Sequence, residues 1–93
     1  MALTKSPAGS FTVLYFAAAS TYTKSSSEHF PAPLKVGELF AKLEARHQGI
    51  QEKVLSSCAV TVNMEYIDME GTEADVEIKE GDEVAIIPPV SSG

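Results

Sequence analysis

The sequence predicts an α+β fold, a mixed sheet with one main helix lying across it, and three observations carry that prediction. Between Val36 and His47 a single narrow apolar stripe recurs at helical spacing, so that helix has one side to bury and needs a sheet to bury it on. The first and last apolar runs, Phe11 to Phe16 and Val84 to Ile87, are uninterrupted, as expected of central strands. Around them the order reads strand, strand, helix, strand, short strand, strand, which closes into a roll. A right-handed crossover then sets the first and last strands side by side at the sheet centre.

Taken in order, residues 1–9 contain Pro7 and Gly9 without apolar periodicity and read as a flexible leader. Phe11 to Phe16 is rich in β-branched and aromatic residues, with Phe11, Val13 and Tyr15 on one face and Leu14 and Phe16 on the other. Apolar residues on both sides suggest that both faces are covered. Ala17 to Ala19 are helix-compatible, but Ser20, Thr21 and the run Ser25 to Ser27 point to a loop. Glu28 to Pro31 reads as a short strand, confined to an edge by Pro31 and Pro33.

The helix places Val36, Leu39, Phe40 and Leu43 on one stripe, with Glu38 near its start and Arg46 and His47 near its end, matching the macrodipole. Gly49 suits the position just past its end, whereas Lys35 is a poor N-cap that leaves ~1 kcal/mol of capping unused. Ile50 to Ser56 adds a helical turn with Val54 and Leu55 inward. Cys58 to Val62 is a strand, Tyr66-Ile67 a short one, and Glu70-Gly71-Thr72 a turn. Val76 and Ile78 alternate with Glu77 and Lys79 as in a half-exposed strand. Gly81 and Asp82 form a tight turn before Val84 to Ile87, and Pro88-Pro89 ends that strand because neither proline donates to the ladder. The organised domain thus spans residues 10–88 and a tail spans 89–93.

The bulk properties exclude several classes of function. A chain of 93 residues forms one small domain with little room for a cleft of its own, which favours a carrier or binding role. A net charge of -6 opposes nucleic-acid binding and suits a basic protein partner. The single cysteine, Cys58, allows no disulfide framework and reads as a core thiol. His29 and His47 lack a ligand cluster and read as surface or structural residues, so no metal site is expected. No apolar run approaches the ~20 residues of a membrane span, and no signal pattern opens the chain, so a cytosolic protein is expected. No nucleophile–base pair, phosphate loop or carboxylate pair emerges from the spacings.

The tail Pro89 to Gly93 has nothing large enough to pack except Val90 and could reach about 17 Å at ~3.3 Å per residue. By composition it is either an ordinary small-residue end or a stiffened device that presents a carboxylate to another protein. Here the residues carry a resemblance. The run Gly81-Asp82-Glu83-Val84-Ala85-Ile86-Ile87-Pro88-Pro89-Val90-Ser91 resembles the C-terminal signature of the small subunits of molybdopterin synthase. These are ubiquitin-like sulfur carriers of molybdenum cofactor biosynthesis. The resemblance extends through Val13-Leu14-Tyr15-Phe16-Ala17, Ala59-Val60-Thr61-Val62-Asn63 and Glu65-Tyr66, covering most of the chain from about Ser10. One residue departs from the pattern: the family ends Gly-Gly, and this chain ends Ser92-Gly93.

The resemblance implies a β-grasp fold and a C-terminal Gly93 that is adenylated and then thiocarboxylated. It implies a tail, Pro88, Pro89, Val90, Ser91, Ser92 and Gly93, inserted into the large synthase subunit, and an apolar patch of Phe16, Tyr66 and Ile87 that meets the same partner. An E1-like adenylating enzyme would activate the tail. The only cofactors implied are a transient AMP adduct and sulfur at the C-terminus, with none bound stably. The catalytic pocket, where cyclic pyranopterin monophosphate becomes molybdopterin, would belong to the large subunit. The family's heterotetramer carries two small subunits on a large-subunit dimer. Read from the residues alone, Phe16 and Ile87 are equally at home in a core, and Glu80, Asp82 and Glu83 are either a rim for a basic partner or solvated turn charges. Two other classes remain. One is a ubiquitin-like modifier or a sulfur carrier for another pathway, such as tRNA thiolation or thiamine synthesis, which shares the terminal glycine chemistry but should lack the Pro88-Pro89 hinge. The other is a β-grasp interaction domain without covalent chemistry, which Ser92 accommodates.

Overall fold

The computed structural model describes residues 8–67 and 75–88. Its main sheet has five strands in the order β2-β1-β7-β4-β5. They are β1 (Ser10–Tyr15), β2 (Ser27–Pro31), β4 (Ala59–Val62), β5 (Glu65–Ile67) and β7 (Glu83–Ile87). The first and last strands pair in parallel, Thr12 opposite Glu83 through Tyr15 opposite Ile86, while every other pairing in this sheet is antiparallel. The predicted adjacency of the two most apolar runs is thus observed. A second, two-residue ladder joins β3 (Leu34–Lys35) to β6 (Glu77–Ile78).

Helix α2 (Val36–Arg46) crosses one face of the sheet and buries Val36, Leu39 and Leu43 completely, with Phe40 at the margin. Under it lie Phe11, Val13, Val84 and Ile86, all fully buried, together with Tyr15. Burying these side chains stabilises each by ~1.5–3 kcal/mol, so this layer is the core. No side chain caps α2: Lys35 is extended and makes no capping bond, as its chemistry predicts. Gly49, at φ 90, lies beyond the helix end and opens α3 (Ile50–Lys53) instead. Its lack of a side chain is required twice over, by that φ and because a Cβ there would lie 2.7 Å from the Tyr22 hydroxyl. The Glu44 carboxylate accepts from the amides of Gly49 and Gln51, which together lower its pKa. Val54 and Leu55 are buried, as expected, where α3 passes into the turn Leu55–Ser57.

Several expectations need correction. Ala18–Thr23 forms a short helix, α1, rather than a loop. The buried Ala19 anchors it, as does Tyr22, whose hydroxyl donates to the carbonyl of Gln48 at 2.7 Å. Val76 is exposed and β6 is only two residues long, so the half-exposed strand shrinks to Glu77 and the buried Ile78. Cys58 precedes β4 and is half-buried, its thiol donating to the Val54 carbonyl, and burial raises its pKa. Gly9, assigned to the leader, bonds the domain: its amide donates to Glu80 Oε2 and its carbonyl accepts from Ala32. The turn predicted at Glu70-Gly71-Thr72 lies outside the described residues. Among the described residues no helix is long and apolar enough to cross a membrane.

Candidate functional site

The second face of the central strands is not covered, contrary to the expectation of two buried faces. The register sets Leu14, Ala85, Thr61 and Tyr66 side by side in one row across β1, β7, β4 and β5. Because side chains alternate along a strand, Phe16 and Ile87 fall on this same face. Ala85 and Thr61 are small and sit mid-row, whereas Phe16, Ile87, Tyr66 and Met64 are large and surround them. The result is an open groove of about 370 Å³ with a predominantly apolar lining, bounded also by Glu83. Phe16 is 47% exposed, Tyr66 70% and Met64 88%, while Ile87 is partly buried. The structure therefore brings together all three residues of the expected patch, and it places Phe16 and Ile87 at a surface rather than in the core.

The route to the tail begins in this groove. β7 carries Ile87 along its wall, and Pro88 follows as the strand ends. Pro89, Val90, Ser91, Ser92 and Gly93 lie outside the described residues.

The entry to β7 is held by side chains. Gly81 adopts φ 84, and its turn closes through bonds from Asp82 N to the Lys79 carbonyl and from Lys79 N to Asp82 Oδ2. The Gly-Asp pair is thus a turn with a stated geometry, and Asp82 is a structural acceptor. Its other oxygen, Oδ1, accepts from the Asn63 side-chain amide at 3.1 Å. Asn63 Oδ1 in turn accepts from Glu83 N at 3.0 Å, and Asn63 N donates to the Glu83 carbonyl at 2.7 Å. These bonds tie the β4–β5 connection to the start of β7.

Behind the groove, on the helix side, a polar cluster braces the end of β1. The Tyr15 hydroxyl donates to Glu28 Oε1 at 2.6 Å, and His47 Nε2 lies 2.7 Å from the same oxygen. An ionised carboxylate can only accept, so that nitrogen carries a hydrogen. Arg46 adds a longer contact to Glu28 at 3.9 Å and stacks over the Phe30 ring at 4.3 Å. Burial works to raise the Glu28 pKa, but the hydrogen bonds from Tyr15 and His47 and the charges of His47 and Arg46 outweigh it, and the net direction is down. Burial first, then the bond to Glu28 and its charge, pushes the Tyr15 phenol well above its ordinary 10.0. His47 is thus a structural residue, as its sequence context suggested. Among the described residues no group of three or more His, Cys, Asp or Glu could hold a metal ion.

Comparison with known proteins fits this geometry. The family profile described as "ThiS family" matches residues 13–93. A molybdopterin synthase sulfur carrier subunit of Pyrenophora tritici-repentis is 62% identical over 93 residues, the whole of both chains. The chain belongs to the ThiS family, among the molybdopterin synthase sulfur carrier subunits. In the protein-protein complex of subunits 1 and 2 of molybdopterin-converting factor from Helicobacter pylori, one chain superposes with TM-score 0.66 at 27% identity, over 90% of this chain and 99% of that one. Small archaeal modifier protein 1 of Haloferax volcanii, 22% identical, gives TM-score 0.71 over 88% of this chain and 99% of its own, a likeness of fold. The expected β-grasp fold is thereby established.

Sequence reasoning missed Leu14, Thr61, Ala85 and Met64 as groove residues, and left Glu83 open between a partner-facing rim and a solvated turn charge. The first three were legible in principle, since they alternate with core positions once strand pairing is known. Met64 carried a weaker signal: an Asn-Met pair between two strands, where Asn-Gly is the familiar turn.

Proposed function

We infer that this chain is the sulfur-donating subunit of a molybdopterin synthase, which supplies a reactive C-terminus while its partner supplies the catalytic pocket. The observation that carries this reading is the course of β7. The central strand runs beside an exposed apolar groove and passes straight into Pro88. Full-length identity of 62% to a sulfur carrier subunit supports it. The groove of Phe16, Tyr66 and Ile87 then seats the large subunit, and Pro88, Pro89, Val90, Ser91, Ser92 and Gly93 enter that subunit's active site.

The chemistry follows from the weakness of a carboxylate as an acyl donor. Attack of the Gly93 carboxylate on the α-phosphorus of ATP expels pyrophosphate and leaves an acyl adenylate, on the E1-like adenylating enzyme. A hydrosulfide-level sulfur nucleophile adds to the activated carbonyl and expels AMP, giving a thiocarboxylate. If the sulfur arrives as a persulfide, a thiol must then reduce the acyl disulfide and is itself oxidised to a disulfide. In the partner, the thiocarboxylate sulfur displaces an oxygen substituent from a carbon of cyclic pyranopterin monophosphate, that C–O bond breaking as the C–S bond forms. Water then cleaves the resulting thioester, leaving the sulfur on the pterin and returning the Gly93 carboxylate. Each tail delivers one sulfur and the dithiolene needs two, so spent carriers exchange on a heterotetramer. A terminal glycine leaves its carbonyl open to attack, having no Cβ to obstruct a narrow tunnel. A cytosolic setting belongs to this reading.

The test is the intact mass of the chain after incubation with the activating enzyme, ATP and a sulfur donor, with Ser92→Gly in parallel. Replacement of one oxygen by sulfur in both supports the carrier reading and shows Ser92 to be compatible with activation. Reaction of the glycine form alone makes this chain an impaired carrier. Failure of both, with an enzyme active on a Gly-Gly carrier, overturns the reading in favour of a non-covalent interaction domain.

A further inference from the structure

The connection between β4 and β5 is a two-residue hairpin loop, Asn63-Met64, with Val62 opposite Glu65 on its flanks. Both loop residues have positive φ, 51 for Asn63 and 73 for Met64. A loop of this hand favours asparagine first and glycine second, because asparagine tolerates the left-handed region and glycine enters it freely. Asn63 fits that pattern. Met64 does not, for its side chain opposes the backbone conformation it is held in. Among the described residues Met64 joins no core in exchange, being 88% exposed.

The surroundings fix this unfavourable arrangement. Asn63 is held by three hydrogen bonds, two to the Glu83 backbone and one to Asp82 Oδ1. Asp82 is itself fixed by the Lys79 amide. The Asn63–Asp82 clamp therefore keeps the loop closed with Met64 at the wall of the groove, beside Tyr66 and across from Phe16 and Ile87. A flexible, polarizable thioether is suited to such a wall, because it can adapt to an apolar surface laid against it.

We propose that Met64 is a specificity-determining contact of the docking groove, retained for binding at the cost of turn stability and positioned by the Asn63–Asp82 clamp. The proposal rests on the reading that the large synthase subunit occupies this groove. It adds a residue to the Phe16, Tyr66 and Ile87 patch and gives the Gly-Asp turn before β7 a part in recognition.

Replacement by glycine separates binding from folding, because the two should move in opposite directions. For Met64→Gly, thermal unfolding should shift to higher temperature while Kd for the purified large subunit weakens on the order of tenfold. Met64→Leu, which keeps an apolar side chain of similar size, should bind within about twofold of the wild type. The clamp is tested by exchange. Asn63→Asp alone sets two carboxylates face to face and should weaken binding. Adding Asp82→Asn restores a donor–acceptor pair with Glu83 N and Lys79 N still served, and should recover it. Binding of Met64→Gly equal to that of the wild type overturns the proposal, as does a lowered unfolding temperature for that variant. An exchange variant that folds yet fails to recover affinity overturns the role of the clamp. No binding by the wild-type chain overturns the carrier reading as well, and that outcome is distinct from the others.

Discussion

The two faces of strands β1 and β7 are built from similar residues and meet opposite fates. On one, Phe11, Val13, Val84 and Ile86 are fully buried beneath α2. On the other, Leu14 and Ile87 are only partly covered and Phe16 is 47% exposed. Hydrophobicity alone does not distinguish them. The difference lies in supply: the described residues hold one long amphipathic helix, and its stripe covers one side of the sheet. Exposed apolar surface gathered into a groove is what a docking face looks like before its partner arrives. The core face is therefore read through stability, and the groove face through affinity.

A pair of truncations would break that contrast if it is wrong. Leu39→Ala empties a fully buried site and should destabilise by about 2–5 kcal/mol, through lost transfer energy and the cavity left behind. The fraction still folded should bind the large subunit normally. Ile87→Ala should cost about 1 kcal/mol of stability or less, yet weaken binding tenfold or more. Urea unfolding and calorimetric titration of both variants decide the matter. Equal losses of stability would mean that Ile87 belongs to the core after all.

The Tyr15–Glu28–His47 cluster sharpens the comparison, because it is a polar element on the face governed by stability. Glu28 has its pKa lowered in the folded chain, so its contribution is present above the ordinary 4.5 and is lost as pH falls through the lower folded value. Tyr15→Phe removes the phenol's hydrogen bond to that carboxylate. The variant should be less stable than the wild type by about 1.5–3 kcal/mol near neutral pH, as for a bond to a charged group. That gap should narrow as pH falls below the carboxylate range. Urea midpoints measured at neutral and acid pH check it, and a gap that stays constant with pH would separate Tyr15 from Glu28 ionisation.

What the sequence disclosed follows the same division. The α2 stripe, the parallel pairing of β1 with β7 and the terminus at Pro88 were legible because periodicity, uninterrupted apolar runs and proline act locally. The open face was not, since Leu14 and Phe16 look as apolar as Val13 and only the number of covering elements decides between them. Helix α1 escaped notice because its Ser and Thr residues read as loop, while its anchors are tertiary, with Ala19 buried in the core and Tyr22 reaching Gln48. The β3–β6 ladder depends wholly on a distant partner segment. Met64 is the instructive miss: nothing in its residue type marks it, and its place at the groove goes with a positive φ that sequence states only indirectly.

The smallest effect should come from Lys35, which precedes α2 without a side-chain cap. Glu38 stands three residues on, so Lys35→Ser would complete a capping box, with the serine oxygen accepting from the Glu38 amide and the Glu38 carboxylate reaching back to the amide of residue 35. Lys35 is already extended at φ -74 and ψ 141, the conformation a capping residue needs, so the change asks nothing of the backbone. The gain should be about 0.5–1 kcal/mol, less a few tenths for the lost cross-strand pairing of Lys35 with Glu77. Thermal unfolding would register it as a rise of a few degrees, at ~4–8 °C per kcal/mol for a domain of this size. Because the cap lies on the helix side of the sheet, affinity for the large subunit should not change. A change in affinity would show that the two faces communicate, and that the division between a face that folds and a face that binds is too simple.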